Sequence, residues 1–481
     1  MVNKIQYILV LIAIFFVSGC MVGPKYKRPD TMADKTQWAF FNNQYSRDAN
    51  NPGRWWERFD DETTNVLVGQ ALERNYDVKM AAARVLQAEA AYRIAGGELL
   101  PFITYGSDAG VRRQNTGPPG SLLEDTGGVR KTRTFSNVFS INYVLDLFGG
   151  LRHAKRAQYN NLLASRANQN AIANSLIATV INSRINIAAL QNRLAIAKSN
   201  AESLGRTLDI VETRYRMGLV GPVDVRLARQ NYASAQTTIP DFELGLRLSQ
   251  NALDVLIVEQ PGIAQPLNEP ISELPLPQVI PVGLPATLLQ RRPDVVEAEL
   301  RLKAQNERIG QSVANLYPNI TLNGSMGWQS NTSSAIFVNE AWLYSALMSV
   351  TQPIFMGGQL RAQVELDRAR FTEQAWQYAK TVITAMREVE DEVARENLLR
   401  KQLEYAQISY DEALAAEQLA RERYSRGVVS ILVVLEAERR RNTAEDLLAA
   451  LKGEIWNARI NLFLALGGDW TDAANENIET K

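Results

Sequence analysis

The feature that most constrains this chain is an internal repeat. Four short motifs recur in the same order, at offsets of 217, 208, 209 and 210 residues. The pairs are Leu99–Phe102 with Leu316–Asn319, Leu147–Arg152 with Ile354–Arg361, Tyr215–Gly218 with Tyr424–Gly427, and Asn251–Leu256 with Asn461–Leu466. Four motifs at nearly one spacing indicate a structural plan that is built twice within the 481 residues. The Pro-rich stretch Pro261–Pro285 separates the two copies.

Each copy contains one very long stretch without helix breakers. Leu151–Met217 has no proline and only one glycine, and Gln359–Arg426 has neither. At 1.5 Å per residue these stretches predict helices about 100 Å long, far longer than ordinary globular helices, so we expect a bundle or coiled coil. The predicted long helices and the helices that follow them span about 150–217, 222–259, 358–426 and 430–466. Five asparagines on the first long helix either face solvent or line a wet duct: Asn160, Asn168, Asn174, Asn182 and Asn186.

Each copy also contains two segments in which apolar and polar residues alternate. The four predicted strands span about 101–113, 134–147, 318–329 and 342–355. Alternation over about ten residues with aromatic side chains is typical of transmembrane β-strands, although a half-buried soluble sheet alternates in the same way. Four strands are too few to close a membrane barrel, and an open sheet edge in lipid leaves backbone groups unpaired. Membrane-spanning strands would therefore require several copies in one barrel, and three copies give 4 × 3 = 12 strands.

The N-terminus has the features of an export signal. Lys4 precedes an apolar run, Tyr7–Val17, which is too short to cross a bilayer core of roughly 30 Å as a helix. The run ends in Val17-Ser18-Gly19-Cys20, which resembles a bacterial lipobox, so Cys20 is predicted to be the lipidated first residue of the mature chain. The alternative is an ordinary signal peptide with an incidental cysteine. Met21 stands where a signal for inner-membrane retention would place Asp, which favours the outer membrane.

The composition excludes several functional classes. The 52 Lys and Arg residues balance 52 Asp and Glu residues, whereas nucleic-acid binders usually carry a basic excess. One Cys and one His exclude a disulfide framework and a Cys- or His-rich metal site. We therefore predict that the chain is not an enzyme and uses no cofactor and no metal.

Two features still invite a catalytic interpretation. His153 follows two glycines at a predicted helix start, where a capping or interfacial role is expected. The acidic cluster from Glu388 to Glu392 lies between Arg387 and Arg395, and on a helix this pattern predicts a solvated, ion-paired face.

Four further motifs resemble those of one known family. They are Trp55–Phe59, Leu284–Ala286 leading to Leu289–Val295, Gly427–Glu438, and Ile460–Gly468. They resemble the TolC-like outer-membrane factor family, and within it the lipoprotein branch that serves resistance-nodulation-division efflux pumps. Pro293 and Asp294 in the second motif suit the first turn of a helix and its dipole, so we interpret that motif as structural.

The resemblance implies an α+β membrane protein with four transmembrane β-strands and long periplasmic α-helices per chain. It implies a homotrimer in the outer membrane, with a 12-stranded β-barrel on a 12-helix α-barrel. The partners would be outer-membrane lipid, a periplasmic adaptor protein and an inner-membrane pump. The function would be that of a passive duct for small molecules such as drugs, detergents or metal ions. The alternative is the outer-membrane duct of a type I protein secretion system.

The domain organisation follows from the repeat and the resemblance. The predicted segments are a signal peptide (1–19), a lipidated N-terminal equatorial segment (20–61), the first copy (62–262), a linker (263–284), the second copy (285–468) and a C-terminal tail (469–481).

The resemblance also implies a gate at the periplasmic tip, where the long helices turn back. Aligning the two turns on their glycines places Asp224 and Tyr424 at the aspartate and tyrosine of a latch, and Glu436 in an acidic ring around the pore. Val429 stands where the latch arginine is usual, and Val433 occupies the other ring position. These two departures argue against a fully charged latch. The alternative for Glu436 is a solvated residue beside Arg439 or Arg440.

Overall fold

The computed structural model describes residues 21–31, 45–46, 54–115, 129–262, 267, 280–281, 291–335 and 337–468. The predicted signal peptide, Cys20, the tail and nearly all of the linker lie outside the described residues. The helices are α1 (Glu62–Arg74), α2 (Tyr76–Gly97), α3 (Gly150–Arg216), α4 (Pro222–Ile257), α5 (Pro293–Ala314), α6 (Gln359–Ser425) and α7 (Ile431–Ala465). The strands are β1 (Tyr45–Ser46), β2 (Phe102–Asn115), β3 (Val129–Leu145), β4 (Ile280–Pro281), β5 (Asn319–Ser330) and β6 (Trp342–Thr351). A short 3₁₀ helix spans Trp55–Phe59, and α3 and α6 each contain 67 residues.

The four long strands form one sheet in the order β2-β3-β5-β6. Every neighbouring pair is antiparallel. The central pair joins the second strand of one copy to the first strand of the other, with Tyr143 opposite Leu322. Within the described residues, β2 and β6 each have a partner on one side only, so the sheet has two open edges.

The sheet carries large apolar side chains on its surface. Tyr344, Met348 and Val350 have the same parity on β6 and are between 57% and 79% exposed. Leu347, which has the other parity, is 63% exposed and breaks the alternation as the sequence indicates. Such a surface is atypical of a water-soluble sheet and suits a lipid-facing one.

The chain divides into two compact units, and each unit draws on both copies of the repeat. The first comprises residues 1–29, 85–165 and 298–377, and it contains the four-stranded sheet. The second comprises residues 30–84, 166–297 and 378–481, and it contains most of the helical residues. A copy of the repeat is therefore a unit of sequence and not a unit of packing.

In the second unit the Trp-containing motif forms part of the core. Trp55 is fully buried and stacks on Phe463, with ring centroids 5.3 Å apart, and Phe59 packs edge-on against Trp456. Aromatic pairs of this kind stabilise a core beyond the apolar area that they bury.

The asparagines of α3 make tertiary hydrogen bonds in addition to the expected solvent exposure, which Asn186 retains. Asn174 is 2% exposed and donates to the Gly467 carbonyl oxygen at 2.8 Å. The other side-chain hydrogen bonds are Asn168 to Glu297 (2.9 Å), Asn182 to Asn461 (3.2 Å) and Asn457 to Asn186 (3.1 Å). Four of the five asparagines thus bind residues distant in sequence, which offsets the weak helix propensity of asparagine.

None of the helices in the described part of the chain is apolar over a length sufficient to span a membrane.

Candidate functional site

The two turns between long helices share one backbone design. After α3, Gly218 has φ +74°, and the Leu219 N–H donates to the Arg214 carbonyl oxygen at 2.9 Å. After α6, Gly427 has φ +72°, and the Val428 N–H makes the corresponding bond at 2.9 Å. A left-handed residue at this place ends a helix and satisfies its last carbonyl groups, and glycine adopts that conformation without strain.

Asp224 acts on its own helix. It is the third residue of α4, and its carboxylate accepts a hydrogen bond from the Gly221 backbone N–H at 3.1 Å. This contact is the reciprocal half of a capping box, and it places a negative charge at the positive end of the helix dipole. A capping role therefore accounts for Asp224 in the single chain.

Tyr424 lies under an arginine from the other copy of the repeat. Only 8% of Tyr424 is exposed, and the Arg214 guanidinium lies 4.5 Å from the centroid of its ring. Arg214 Nη1 also donates to the Tyr424 carbonyl oxygen at 2.8 Å. The hydroxyl of Tyr424 is buried and has no hydrogen-bond partner within the described residues. Arg214 thus makes a cation–π contact with Tyr424 and donates a hydrogen bond to a carbonyl oxygen at the end of α6.

An apolar cluster holds the four helix ends together at this place. Its buried members come from α3, α4, α6 and α7: Leu204, Val211, Val225, Ala228, Ala420, Tyr424, Ile431, Val434 and Leu435. Val429, at the usual position of a latch arginine, packs against this cluster. Val429 therefore contributes hydrophobic burial at this turn.

Glu436 is exposed and bonds to two arginines on its own helix. Its carboxylate lies 2.8 Å from Arg439 and 2.8 Å from Arg440. Hydrogen bonds from Arg439, and then from Arg440, lower the pKa of Glu436 to about 2. The contacts in the single chain match the solvated, ion-paired interpretation of Glu436.

The three gate candidates do not form one network. Over the described ranges, no hydrogen bond or ion pair joins any two of Asp224, Tyr424 and Glu436. A latch between Asp224 and Tyr424 within one chain is therefore not seen. Of the three candidates, Tyr424 is the one that contacts the other copy through a polar group, the guanidinium of Arg214.

The sequence analysis missed a buried polar cluster on α3, α6 and α7. Glu438 is 1% exposed, and its Oε1 accepts hydrogen bonds from Thr207 at 2.7 Å and from Arg421 at 2.6 Å. Burial, the largest influence, raises the pKa of the Glu438 carboxyl, although Thr207 and Arg421 act in the opposite direction. Arg421 also binds Glu417 at 2.8 Å and Ser203 at 2.6 Å.

A second arginine extends this cluster. Arg441 binds Glu417 at 2.7 Å, Glu445 at 2.6 Å and the side-chain oxygen of Asn200 at 2.6 Å. Three carboxylates and two guanidinium groups therefore share one mostly buried region, where each charge depends on its partners. The spacing of Glu417 and Arg421 on a helix was the available signal, but an i, i+4 pair is usually a surface feature.

The two catalytic candidates have structural roles. His153 is 6% exposed; its Nδ1 lies 2.6 Å from a Glu307 carboxylate oxygen and its Nε2 lies 2.9 Å from the Val22 carbonyl oxygen. This is the interfacial role that was predicted.

In the acidic cluster, Glu388 pairs with Arg292 at 2.8 Å and Asp391 with Arg387 at 3.1 Å. The expectation of a solvated face is wrong for Glu392, whose side chain is only 14% exposed. Burial raises the pKa of its carboxyl group. Within the described ranges, no group of three or more His, Cys, Asp or Glu side chains is arranged to hold a metal ion.

Comparison with known proteins decides the family. The sequence profile described as outer membrane efflux protein matches residues 67–257 and 284–468. The chain belongs to the outer membrane efflux protein family. It is an outer-membrane efflux channel, and the family resemblance inferred from its motifs is confirmed. The two matched ranges coincide with the two copies of the repeat.

Individual relatives match over nearly their whole length. The pyoverdine export outer membrane protein OpmQ of Pseudomonas aeruginosa is 31% identical over 91% of this chain and 92% of its own. The toluene efflux pump outer membrane protein TtgF of Pseudomonas putida is 29% identical over 98% of both. The solved structure of the outer-membrane channel OprN covers 94% of this chain and all of its own, with a TM-score of 0.86 and 27% identity. The predicted fold class is therefore confirmed.

Proposed function

We propose that three copies of this chain form a passive duct that carries small molecules out of the periplasm and performs no catalytic step. The observation that carries the proposal is the four-stranded sheet with an apolar surface and two open edges. Because lipid offers no hydrogen bonds, β6 of one copy must pair with β2 of the next until the sheet closes. Three copies give a 12-stranded barrel, wide enough to leave a lumen.

The assembly is tested by the mass of the protein in mild detergent. Light scattering with correction for bound detergent is expected to give three times the mass of the chain. A monomeric mass would contradict the shared barrel. Cysteine pairs introduced at facing positions of β2 and β6 should then crosslink between copies and not within one copy.

The cargo is proposed to be small molecules such as drugs, detergents or metal ions. Two relatives are named for pyoverdine and toluene, both far smaller than a protein. A deletion strain is expected to become susceptible to drugs, bile salts or metal ions while its exported proteins are unchanged. Loss of one exported protein at unchanged susceptibility would favour the alternative, a type I secretion duct.

The partners are proposed to dock at the two helix turns. Apolar side chains are exposed there: Met217 at 66%, Leu219 at 63%, Val428 at 70% and Leu432 at 55%. We propose that these side chains contact a periplasmic adaptor protein that links the duct to an inner-membrane pump of the resistance-nodulation-division type. Photo-crosslinkers at 219 and 428 should capture the adaptor, whereas a crosslinker on the exposed sheet residue Tyr344 should not.

Cys20 is proposed to carry the lipid that anchors the mature N-terminus in the outer membrane. The lipobox-like Val17-Ser18-Gly19-Cys20 supports this assignment. The intact mass of the purified protein should equal the chain from residue 20 plus acyl groups, and Cys20→Ser should remove the added mass. A mature chain without added mass would show an ordinary signal peptide.

The gate is proposed to lie at the turns, with Asp224, Tyr424 and Glu436 as its residues and Arg214 as a further member. Asp224→Ala and Tyr424→Phe are expected to raise single-channel conductance in planar bilayers, and unchanged conductance in both would contradict the latch. Because the Tyr424 hydroxyl has no partner in the described part of the chain, an effect of Tyr424→Phe would require a contact with another copy. Arg214→Ala should raise conductance even without such a contact.

A further inference from the structure

Residues 21–29, which directly follow Cys20 in the sequence, form an N-terminal strap that is hydrogen-bonded to the rest of the fold. The Val22 N–H donates to the Phe148 carbonyl oxygen at 3.1 Å, and His153 lies 2.9 Å from the Val22 carbonyl oxygen. Asn306 donates to the Pro24 carbonyl oxygen at 3.1 Å. The strap therefore has a fixed position from its first residues onward.

Glycines allow the strap to pack closely against Gly149, His153 and Gly310. A Cβ placed on Gly310 would lie 2.4 Å from the His153 ring, and one on Gly23 would lie 2.7 Å from Gly310 Cα. A Cβ on Gly149 would lie 2.6 Å from Met21 Cγ. Met21, the neighbour of Cys20, is therefore packed directly on Gly149.

A cavity begins at the turn around Gly149. It has a volume of about 530 Å³ and lies where β3, β5 and β6 leave the sheet. Its lining includes Leu147, Phe148, Ala314, Tyr317, Met356 and Leu360. The rings of Phe148 and Tyr317 stack with centroids 4.7 Å apart. Phe148 and Gly150, on either side of Gly149, both belong to the lining, so the strap and the cavity share one turn.

The lining suits an apolar occupant. Most of the lining is apolar, and its neutral polar side chains are Gln311, Asn315, Asn319 and Thr351. Its one charged side chain is Asp146, whose carboxylate already accepts hydrogen bonds from the Leu151 N–H and from the N–H and Nε of Arg152. Next to the lining residues Pro353 and Met356, Ile354 and Phe355 are 89% and 87% exposed. A site of this volume falls within the range of about 300–1,000 Å³ that small ligands occupy.

We propose that this cavity binds an acyl chain of the lipid on Cys20. The proposal rests on the proposed lipidation of that residue. Met21, the residue that follows Cys20 in the sequence, packs on Gly149, and consecutive Cα atoms are about 3.8 Å apart. An acyl chain that reaches roughly 15 Å, half the bilayer core, extends from there into the cavity.

The docked acyl chain gives the lipid a role beyond anchoring. It ties the first residue of the mature chain to the end of the sheet, where β3 passes into α3. The depth of the sheet in the membrane and the position of the lipid are then set by one contact. A free phospholipid and a neighbouring copy are the other candidate occupants, and the experiment separates them.

The test uses the full-length protein from cells fed a palmitate analogue that carries a diazirine. After purification, the intact mass shows whether Cys20 is acylated. Irradiation and digestion should then yield a crosslink that joins the Cys20 lipopeptide to the peptides containing Tyr317, Met356 or Leu360. A free phospholipid cannot make that connection. In oligomers mixed from unlabelled and isotope-labelled copies, a connection within one copy joins peptides of the same label, whereas a connection between copies also gives mixed labels.

Four results would overturn the proposal. Crosslinks from the lipopeptide that avoid the cavity would leave the lipid as a plain membrane anchor. Phospholipid adducts in the cavity would identify a free lipid as its occupant, and crosslinks to a second copy would identify a neighbour. An unacylated Cys20 would overturn the lipidation itself, and the intact mass distinguishes this case from the others.

A matched pair of variants sharpens the test. Ala314→Leu fills the cavity, whereas Ala362→Leu adds the same volume at an exposed position of α6 outside the lining. The crosslink yield should fall several-fold in Ala314→Leu and stay unchanged in Ala362→Leu. If Ala314→Leu fails to assemble, the crosslink map of the unaltered protein still decides the question.

Discussion

The helix pairs α3–α4 and α6–α7 are joined by turns of the same backbone design. The side chains around the two turns differ. Tyr215 and Tyr424 occupy equivalent positions, yet Tyr215 is 46% exposed and Tyr424 is 8% exposed. The repeat therefore preserves the backbone, because the positive φ of each turn glycine ends the helix in the same way. The side chains have diverged, because Tyr215 is exposed in the single chain whereas Tyr424 packs in the apolar cluster.

The ion pairs near the turns show the same divergence with the charges reversed. In the first copy, Glu212 on α3 binds Arg229 on α4 at 2.6 Å. In the second copy, 209 residues later, Arg421 on α6 binds Glu438 on α7 at 2.6 Å. The carboxylate of the first pair, Glu212, is 34% exposed, whereas that of the second, Glu438, is 1% exposed. The same contact is thus a surface pair in one copy and part of a buried cluster in the other.

The largest effect is expected from removing the arginine of each pair. Arg421→Ala leaves the buried Glu438 without its charged partner, and such a loss costs about 3–5 kcal/mol. Arg229→Ala breaks an exposed pair and should cost under about 1 kcal/mol. Hydrogen exchange of the amides of α7 and α4 measures both costs. Equal costs would show that burial does not distinguish the two pairs.

Truncation of the two tyrosines is expected to rank next. Tyr424→Ala opens a void in the apolar cluster and removes the contact with Arg214, with a cost of about 3 kcal/mol. Tyr215→Ala changes an exposed side chain and should stay within about 0.5 kcal/mol. Denaturant unfolding of the helical residues, followed by circular dichroism, compares the two variants. A large loss in Tyr215→Ala would indicate that another molecule covers the first turn.

The sequence predicted the repeated backbone well and the divergent side chains poorly. The glycines at 218 and 427 and the alternating residues of the strands are local signals, so the helix ends and the sheet could be read directly. The contact between Arg214 and Tyr424 joins residues that are 210 positions apart, and no local sequence pattern predicts it. Glu436 and Glu438 lie in the same acidic and arginine-rich run, and only the tertiary packing shows that one is exposed and the other buried.

A smaller effect is expected at the starts of the returning helices. Asp224 completes a capping box on α4, whereas the equivalent residue of α7 is Val433, which is 48% exposed. Asp224→Ala should destabilise the first turn of α4 by about 1 kcal/mol. Val433→Ala should leave the first turn of α7 nearly unchanged, because no hydrogen bond of a capping side chain is lost. Equal fraying of both turns in hydrogen exchange would refute a capping role for Asp224.

The smallest expected effect is on the pH dependence of stability, which should differ between two carboxylates of α7. The pKa of Glu438 is raised, so the folded state binds this proton more readily than the unfolded state. Its contribution to stability therefore falls as pH rises from the unfolded value of 4.5 through the folded one. The pKa of Glu436 is lowered to about 2, so its contribution is present above 4.5 and is lost as pH falls toward 2.

Two variants separate these contributions. Glu438→Gln should flatten the decline of the thermal unfolding midpoint above pH 4.5, since it removes the ionisation of a buried group. Glu436→Gln should lower the midpoint above pH 4.5, and only weakly, because water and salt screen an exposed pair; its difference from the unaltered protein should vanish as pH falls toward 2. If Glu436→Gln proved the stronger variant, Glu436 would be desolvated in the assembled protein. That outcome would return it to the acidic ring around the pore that its position in the repeat suggests.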